Sequence, residues 1–72
     1  MIKKTFVKSF YTSVLVTCYE CDGVKYVANQ HGSWDVYDGE YERGGRSRTV
    51  HKDAEEIKKI ITQFKQQEID SK

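Results

Sequence analysis

The sequence has no proline, no internal repeat and no linker-like or low-complexity segment. Its 72 residues are therefore expected to form one domain, 1–72, with a small core. No apolar run approaches the roughly 18 residues that a membrane-spanning helix needs, so we expect no membrane span. The N-terminus is basic but lacks a continuous apolar core and a small-residue cleavage site, which argues against a signal peptide.

Cysteine is also scarce. Two cysteines are too few for a disulfide scaffold, and we expect a cytoplasmic protein. Cys18 and Cys21 form a Cys-x-x-Cys pair, to which His31 and His51 could add two further metal ligands. In a regular strand, however, residues three apart point to opposite faces, here about 10 Å from each other. We therefore expect no bound metal, no other cofactor and no disulfide.

The motifs of common catalytic sites are missing as well. No nucleophile lies in a recognisable elbow, and there is no glycine-rich phosphate loop. A domain of this size offers little room for a deep pocket. His31 and His51 fit turn and strand-end positions better than catalytic ones. We therefore expect no catalytic residue and no enzymatic activity.

The clearest positive signal is an amphipathic segment near the C-terminus. Its apolar residues recur at the spacing of one helical face: Ile57, Ile60, Ile61 and Phe64. Asp53, followed three residues later by Glu56, has the spacing of a capping box. These features predict a helix over residues 53–67, followed by a frayed tail over 68–72. Such a helix must bury its apolar side against the preceding part of the chain.

That preceding part, about residues 3–50, is predicted to form an antiparallel sheet of three to five strands. Runs rich in β-branched and aromatic residues predict strands at 3–7, 9–21, 33–37 and 46–50. The turn signals between them are Asp22-Gly23, His31-Gly32, Asp38-Gly39 and Gly44-Gly45, the last being typical of a bulge or a flexible tip. With one C-terminal amphipathic helix across one face, the predicted fold class is α+β.

The first of these turns also sets a register. It pairs Tyr19 with Tyr26 across the two strands. One position closer to the turn, Glu20 meets Lys25, so opposite charges face each other. One face then carries Val14, Val16, Cys18 and Val27, and the other carries Leu15, Thr17, Tyr19, Tyr26 and Ala28. We expect the more aliphatic first face to lie under the helix, which leaves Tyr19 and Tyr26 exposed, although Leu15 argues the other way.

Charge and aromatic residues suggest a contact surface. The net charge of +1 argues against bulk electrostatic binding to nucleic acid. Acidic residues dominate 11–42 and basic residues dominate 43–52. Tyrosines displayed on a rigid sheet suit a protein contact, because they bury area at low entropic cost. The predicted partner-binding residues are Tyr19, Tyr26, Tyr37, Arg43, Arg46 and Arg48. We expect the tyrosines to supply affinity and the arginines to set orientation and association rate.

Two resemblances bear on function. The segment from Trp34 to Phe64 resembles the arm-site DNA-binding domains of tyrosine-type integrases, in which a three-stranded sheet rests on a C-terminal helix and enters the major groove. The resemblance implies nucleic-acid binding, with Arg43, Arg46 and Arg48 on or beside the hairpin that enters the groove. The acidic residues of the same hairpin would repel phosphate; they are Asp35, Asp38, Glu40 and Glu42. In its size, its mixed charge and its arrangement of a sheet followed by a helix, the chain also resembles compact phage and mobile-element proteins, including anti-CRISPR proteins.

We therefore expect a non-catalytic small binding protein. The leading hypothesis is an inhibitor or adaptor of the phage or mobile-element anti-defence type, which docks on a larger host protein. The alternative is a nucleic-acid-binding module that acts through the sheet and residues 43–52. A homodimer formed by edge pairing of the first or last strand is a third hypothesis.

Overall fold

The structure is a computed structural model, and it describes residues 1–9, 12–38 and 46–70. Its elements in chain order are β1 (Lys3–Lys8), β2 (Leu15–Cys21), β3 (Val24–Ala28), β4 (Trp34–Asp38), β5 (Arg46–Val50) and α1 (Glu55–Asp70). The strands form one antiparallel sheet in the order β1-β2-β3-β4-β5. The predicted α+β fold is therefore confirmed, with five strands and one C-terminal helix.

The β2–β3 hairpin has the predicted register. Tyr19 pairs with Tyr26, and the three neighbouring pairs also match the prediction. Asp22 and Gly23 have φ angles of 51° and 80°, respectively. A two-residue turn with positive φ at both positions matches the right-handed twist of the flanking strands, which is why an Asp-Gly dipeptide predicts it so well.

The β1–β2 connection differs from the prediction. A strand was predicted over residues 9–21, but β2 begins at Leu15, and Lys8 pairs with Leu15 across the two strands. The Ser9 amide donates to the Val14 carbonyl at 2.8 Å, and Ser13 takes a φ of 60°. The turn therefore uses serine where glycine or asparagine would have given a signal, and the β-branched residues around it resemble a continuous strand.

The side chains of β4 alternate between the two faces of the sheet. Trp34 and Val36 lie on one face of β4, and Asp35 and Tyr37 lie on the other. The pairing of β4 with β5 shifts register between Val36 and Tyr37, so β5 has one extra residue there. The predicted turns at Gly39 and Gly44-Gly45 lie outside the described residues.

The helix packs on the tyrosine-bearing face of the sheet, so the predicted choice of face was wrong. One apolar cluster joins that face to α1: Ile2, Tyr19, Tyr26, Val36, Val50, Ile57 and Ile60. The other strands decide the face, because Val36 and Val50 extend the tyrosine side, whereas Lys25 and Asp35 make the opposite side more polar. Covering the tyrosine face therefore buries more apolar area.

The predicted apolar side of α1 is confirmed. Ile57 is fully buried, Ile60 is 7% exposed, and Ile61 and Phe64 pack against the same cluster. The start of the helix differs from the prediction. Ala54 precedes the first helical residue, and its carbonyl accepts the Lys58 amide at 3.1 Å, so Ala54 and not Asp53 is the N-cap.

The end of α1 is joined to the start of the sheet. The Gln67 carboxamide accepts a hydrogen bond from the Ile2 amide at 2.9 Å and donates one to the Ile2 carbonyl at 2.8 Å. The helix continues to Asp70, three residues beyond the predicted end at Gln67. The Gln67 side chain thus fixes the position of β1 against the helix.

Candidate partner-binding surface

Two of the tyrosines predicted to bind a partner lie between the sheet and the helix. Tyr19 and Tyr26 are each only 7% exposed. The Tyr19 ring lies 5.6 Å from the Trp34 ring and 5.6 Å from the Phe64 ring, measured between centroids. The prediction that these two tyrosines are exposed on the uncovered face is therefore wrong. Their predicted role in partner contact was based on this exposure, which the structure does not show.

Tyr37, the third tyrosine predicted to bind a partner, lies on the face opposite the helix but is buried there. Its side chain is 3% exposed and belongs to a second cluster with Cys18 and Val27. Val7 and Val16 pack beside this cluster. Tyr37 therefore stabilises the second face of the sheet, as the other two tyrosines stabilise the first.

The three arginines predicted to bind a partner differ in how far the structure describes them. Arg43 lies outside the described residues, and Arg46 is described only by its position in β5. Arg48 points to the helix side and binds Glu56 with both terminal nitrogens, one of them donating to Oε1 at 2.7 Å. Its side chain is still about half exposed. Arg48 is therefore held in an intramolecular ion pair.

Tyr26 completes this arrangement, which we call the Glu56 cluster (Tyr26, Arg48 and Glu56). The Tyr26 hydroxyl donates to Glu56 Oε2 at 2.5 Å. Hydrogen bonds from Arg48 and then from Tyr26 lower the pKa of Glu56 to about 2. Burial, followed by the hydrogen bond to Glu56, raises the pKa of Tyr26 to about 12. The bond to Glu56 also raises the pKa of Arg48. The cluster joins β3 and β5 to the first turn of α1.

The residues considered as metal ligands are separated. Cys18 is fully buried on the face opposite the helix, whereas Cys21 packs on the helix face. His31 and His51 are exposed in connecting segments. Over residues 1–9, 12–38 and 46–70, no three side chains of histidine, cysteine, aspartate or glutamate come together as a metal site requires. Burial raises the pKa of the Cys18 thiol, which disfavours the reactive thiolate.

Asp35 is a buried carboxylate, a type of group that often marks a catalytic site. It is 3% exposed and accepts hydrogen bonds from Asn29 Nδ2 at 3.2 Å and Thr49 Oγ1 at 3.0 Å. The Asn29 side chain in turn accepts the amides of His31 and Ser33, which shapes the β3–β4 turn. Asp35 therefore holds β4, β5 and this turn together.

The structure reveals an exposed apolar surface that the sequence did not indicate. Phe6 and Leu15 are 63% and 70% exposed; we call these two residues the β1–β2 patch. Phe6 pairs with Thr17 on the neighbouring strand, so Leu15, two residues before Thr17, is its diagonal neighbour on the same face. This is the helix-facing side of the sheet, at the end that α1 leaves uncovered.

Basic residues border this patch. Lys4 and Lys8 are exposed and lie two positions before and after Phe6, on the same face of β1. The Lys4 ammonium lies 5.9 Å from the centre of the Tyr19 ring, so its chain leans over the core while its charge stays at the surface. The alternation of Lys4, Phe6 and Lys8 is visible in the sequence, and only the position of the helix shows that Phe6 is uncovered.

Among the described residues, no helix has the length and apolar character needed to cross a membrane. Fold and surface together define the class of the molecule, an open five-stranded antiparallel meander with one covering helix. When the chain is compared with protein-family models, with curated proteins and with solved structures, none of them matches.

Proposed function

We propose that the chain is a non-catalytic binding protein, an inhibitor or adaptor, and that it docks on a larger protein through the β1–β2 patch. The supporting observation is that two large apolar side chains, Phe6 and Leu15, are each more than half exposed and are diagonal neighbours on one face of the β1–β2 hairpin. Single exposed apolar residues are common on protein surfaces. A contiguous group with a polar rim is typical of an interaction site.

The charges around the patch suggest what the partner offers. Lys4 and Lys8 flank Phe6, and β1 contains no acidic residue. A partner with an apolar contact bordered by acidic groups would complement this surface and would be steered towards it. A likeness in size and layout to compact phage anti-defence proteins is compatible with such a role.

A structural role for the Glu56 cluster and for the buried Asp35 carboxylate supports the non-catalytic part of the proposal. The Glu56 cluster contains the largest pKa shifts in the described part of the chain, and it joins the helix to the sheet. Asp35 likewise has partners on two other segments. Both features are explained by their contribution to the stability of the fold, and neither requires a catalytic role.

The test is affinity capture with matched alanine variants. Tagged wild-type protein, Phe6→Ala, Leu15→Ala and Ile69→Ala are used to capture partners from a cell lysate, and the captured protein is then purified for affinity measurement. Ile69 is 66% exposed on α1 and belongs to neither strand of the hairpin, so its truncation removes exposed apolar area from a different element. We expect Phe6→Ala and Leu15→Ala to weaken binding by about tenfold or more, and Ile69→Ala to leave it unchanged.

The opposite outcome favours the nucleic-acid alternative. If the patch variants bind the captured protein as tightly as the wild type does, the patch is not the docking surface. If the chain binds DNA or RNA with an affinity that falls steeply with salt and is insensitive to Phe6→Ala, the electrostatic hypothesis is the better one.

A further inference from the structure

The outer edge of β1 is open in the described part of the chain. The strand order places β1 at one end of the sheet, and its residues pair with β2 on one side only. In an antiparallel ladder, alternate residues direct their amide and carbonyl groups away from the neighbouring strand. An edge strand of six residues therefore presents a row of backbone donors and acceptors that another strand can use.

The side chains of β1 oppose pairing with a second copy of this chain. Lys3, Lys4 and Lys8 are exposed, and the strand contains no acidic residue. Antiparallel self-pairing about the middle of the strand sets Lys3 against Lys8. Pairing about Phe6 sets Lys4 against Lys8. Like charges directly opposite each other are unfavourable, and lysines on edge strands commonly prevent such association.

The other edge of the sheet is less suited to an incoming strand. β5 runs through a short connection into α1, and Arg48 on this strand is held by Glu56. On β1, by contrast, the face towards the helix carries Lys4, Phe6 and Lys8 at alternate positions, and the Phe6 side chain is 63% exposed. Backbone groups, charge and apolar area thus coincide on β1.

We propose that β1 binds an extended acidic segment of a partner protein as a sixth strand of the sheet. The backbone of the segment pairs with the open edge, and its alternate side chains are read by the face of β1. Acidic side chains lie opposite Lys4 and Lys8, and an apolar side chain lies opposite Phe6. Because Lys-Phe-Lys is symmetric about Phe6, the pattern acid, apolar, acid at alternate positions fits in both strand directions. This inference rests on the proposed function and specifies its partner.

The probe is a short fluorescent peptide with two glutamates four positions apart and a valine midway between them, in a serine and threonine background. Two control peptides carry lysines in place of the glutamates, or backbone N-methyl groups along one edge, which block strand pairing without changing the side chains. We expect the glutamate peptide to bind at least tenfold more tightly than either control in fluorescence anisotropy.

Protein variants provide the matching controls. Charge reversal by Lys4→Glu or Lys8→Glu is expected to abolish the preference for the glutamate peptide. Lys58→Glu and Lys59→Glu change exposed lysines on α1 and should have no effect. Because Lys4 also contacts the Tyr19 ring, circular dichroism melts verify that each variant is folded. In addition, amide exchange measured by NMR should slow at alternate residues of β1 when the peptide is bound.

Four results would overturn the inference: no binding of the glutamate peptide at millimolar concentration, equal binding of the N-methylated peptide, no change in amide exchange in β1, or a dimer of the free chain in sedimentation. Displacement of the peptide by a single-stranded oligonucleotide of higher affinity would assign the edge to nucleic acid instead.

The same experiments separate this inference from the proposed function. If the peptide does not bind while Phe6→Ala still abolishes capture of the partner protein, strand addition is wrong and the proposed function survives. If capture is insensitive to Phe6→Ala, the proposed function itself fails.

Discussion

At the scale of single residues, Glu56 shows how structural context changes the role of a side chain. Its spacing from Asp53 indicates a capping box. In the structure its carboxylate binds the Arg48 guanidinium and the Tyr26 hydroxyl. Two charge-assisted partners, one on β3 and one on β5, fix the carboxylate more firmly than one backbone amide would. Glu56 therefore connects the helix to the sheet. The residues next to Glu56 in the sequence do not reveal this connection.

This role predicts a defined pH dependence. The folded pKa of Glu56, about 2, lies below its ordinary value of 4.5, so its stabilising effect is complete above pH 4.5 and is lost as the pH falls towards 2. At neutral pH, Glu56→Gln should lower the melting temperature by about 2–6 °C. In circular dichroism melts, the difference from wild type should shrink as the pH falls through this window.

The matched control for this prediction is Glu55→Gln. Glu55 is an exposed carboxylate in the same helical turn. Its substitution should change the melting temperature little at any pH. A difference between Glu56→Gln and wild type that stays constant from neutral pH to pH 2 would show that the ion pair does not stabilise the fold.

At the scale of elements, the helix offers an internal comparison between two isoleucines. Ile57 is fully buried and Ile69 is 66% exposed. Ile57→Ala should destabilise the protein by about 2–4 kcal/mol, because it removes buried methyl groups and leaves a cavity. Ile69→Ala should change the free energy of unfolding by less than about 0.5 kcal/mol. Urea denaturation measures both, and equal effects would contradict the orientation of α1.

The β2–β3 turn provides a second test at this scale. Gly23 has a φ of 80°, and no atom lies within 4 Å of the position that a Cβ would take. Gly23→Ala should therefore destabilise the fold through backbone strain alone, by about 1–2 kcal/mol. Asp22→Asn should be nearly neutral, because asparagine also tolerates positive φ. Urea denaturation distinguishes the two, and a neutral Gly23→Ala would argue against this turn geometry.

Elements with strong local signals could be predicted from the sequence. The Asp22-Gly23 turn gave the hairpin register, and the spacing of Ile57, Ile60, Ile61 and Phe64 gave the buried side of the helix. The face of the sheet under the helix could not be predicted in this way. It depends on how Val36, Val50 and Ile2, distant in sequence, add to the apolar area beside Tyr19 and Tyr26.

The β1–β2 patch was missed for a related reason. The patch is exposed because α1 covers only part of this face of the sheet. How far the helix covers the sheet depends on packing, and the residues next to Phe6 and Leu15 in the sequence do not indicate it. In addition, the turn between β1 and β2 contains Ser13 at positive φ and no glycine, so the start of β2 was not recognised. An alternation of lysine and phenylalanine on an edge strand was the one available sign.

At the scale of the whole molecule, the two hydrogen bonds between Gln67 and Ile2 join segments 65 positions apart. They fix the start of β1, the strand proposed to bind the partner. Gln67→Ala should lower stability by about 1 kcal/mol and accelerate amide exchange at Ile2 and the first residues of β1. Gln63→Ala, an exposed position on the same helix, is the control. Unchanged exchange at Ile2 in Gln67→Ala would contradict this link.

The central claim, that this small sheet-plus-helix protein docks through the β1–β2 hairpin, is tested most directly by hydrogen exchange with and without the purified partner protein. The account predicts slower exchange across residues 3–8 and 14–17 on binding, with little change in residues 58–66 of α1. Slower exchange confined to α1 or to the β2–β3 turn, with β1 unaffected, would contradict it.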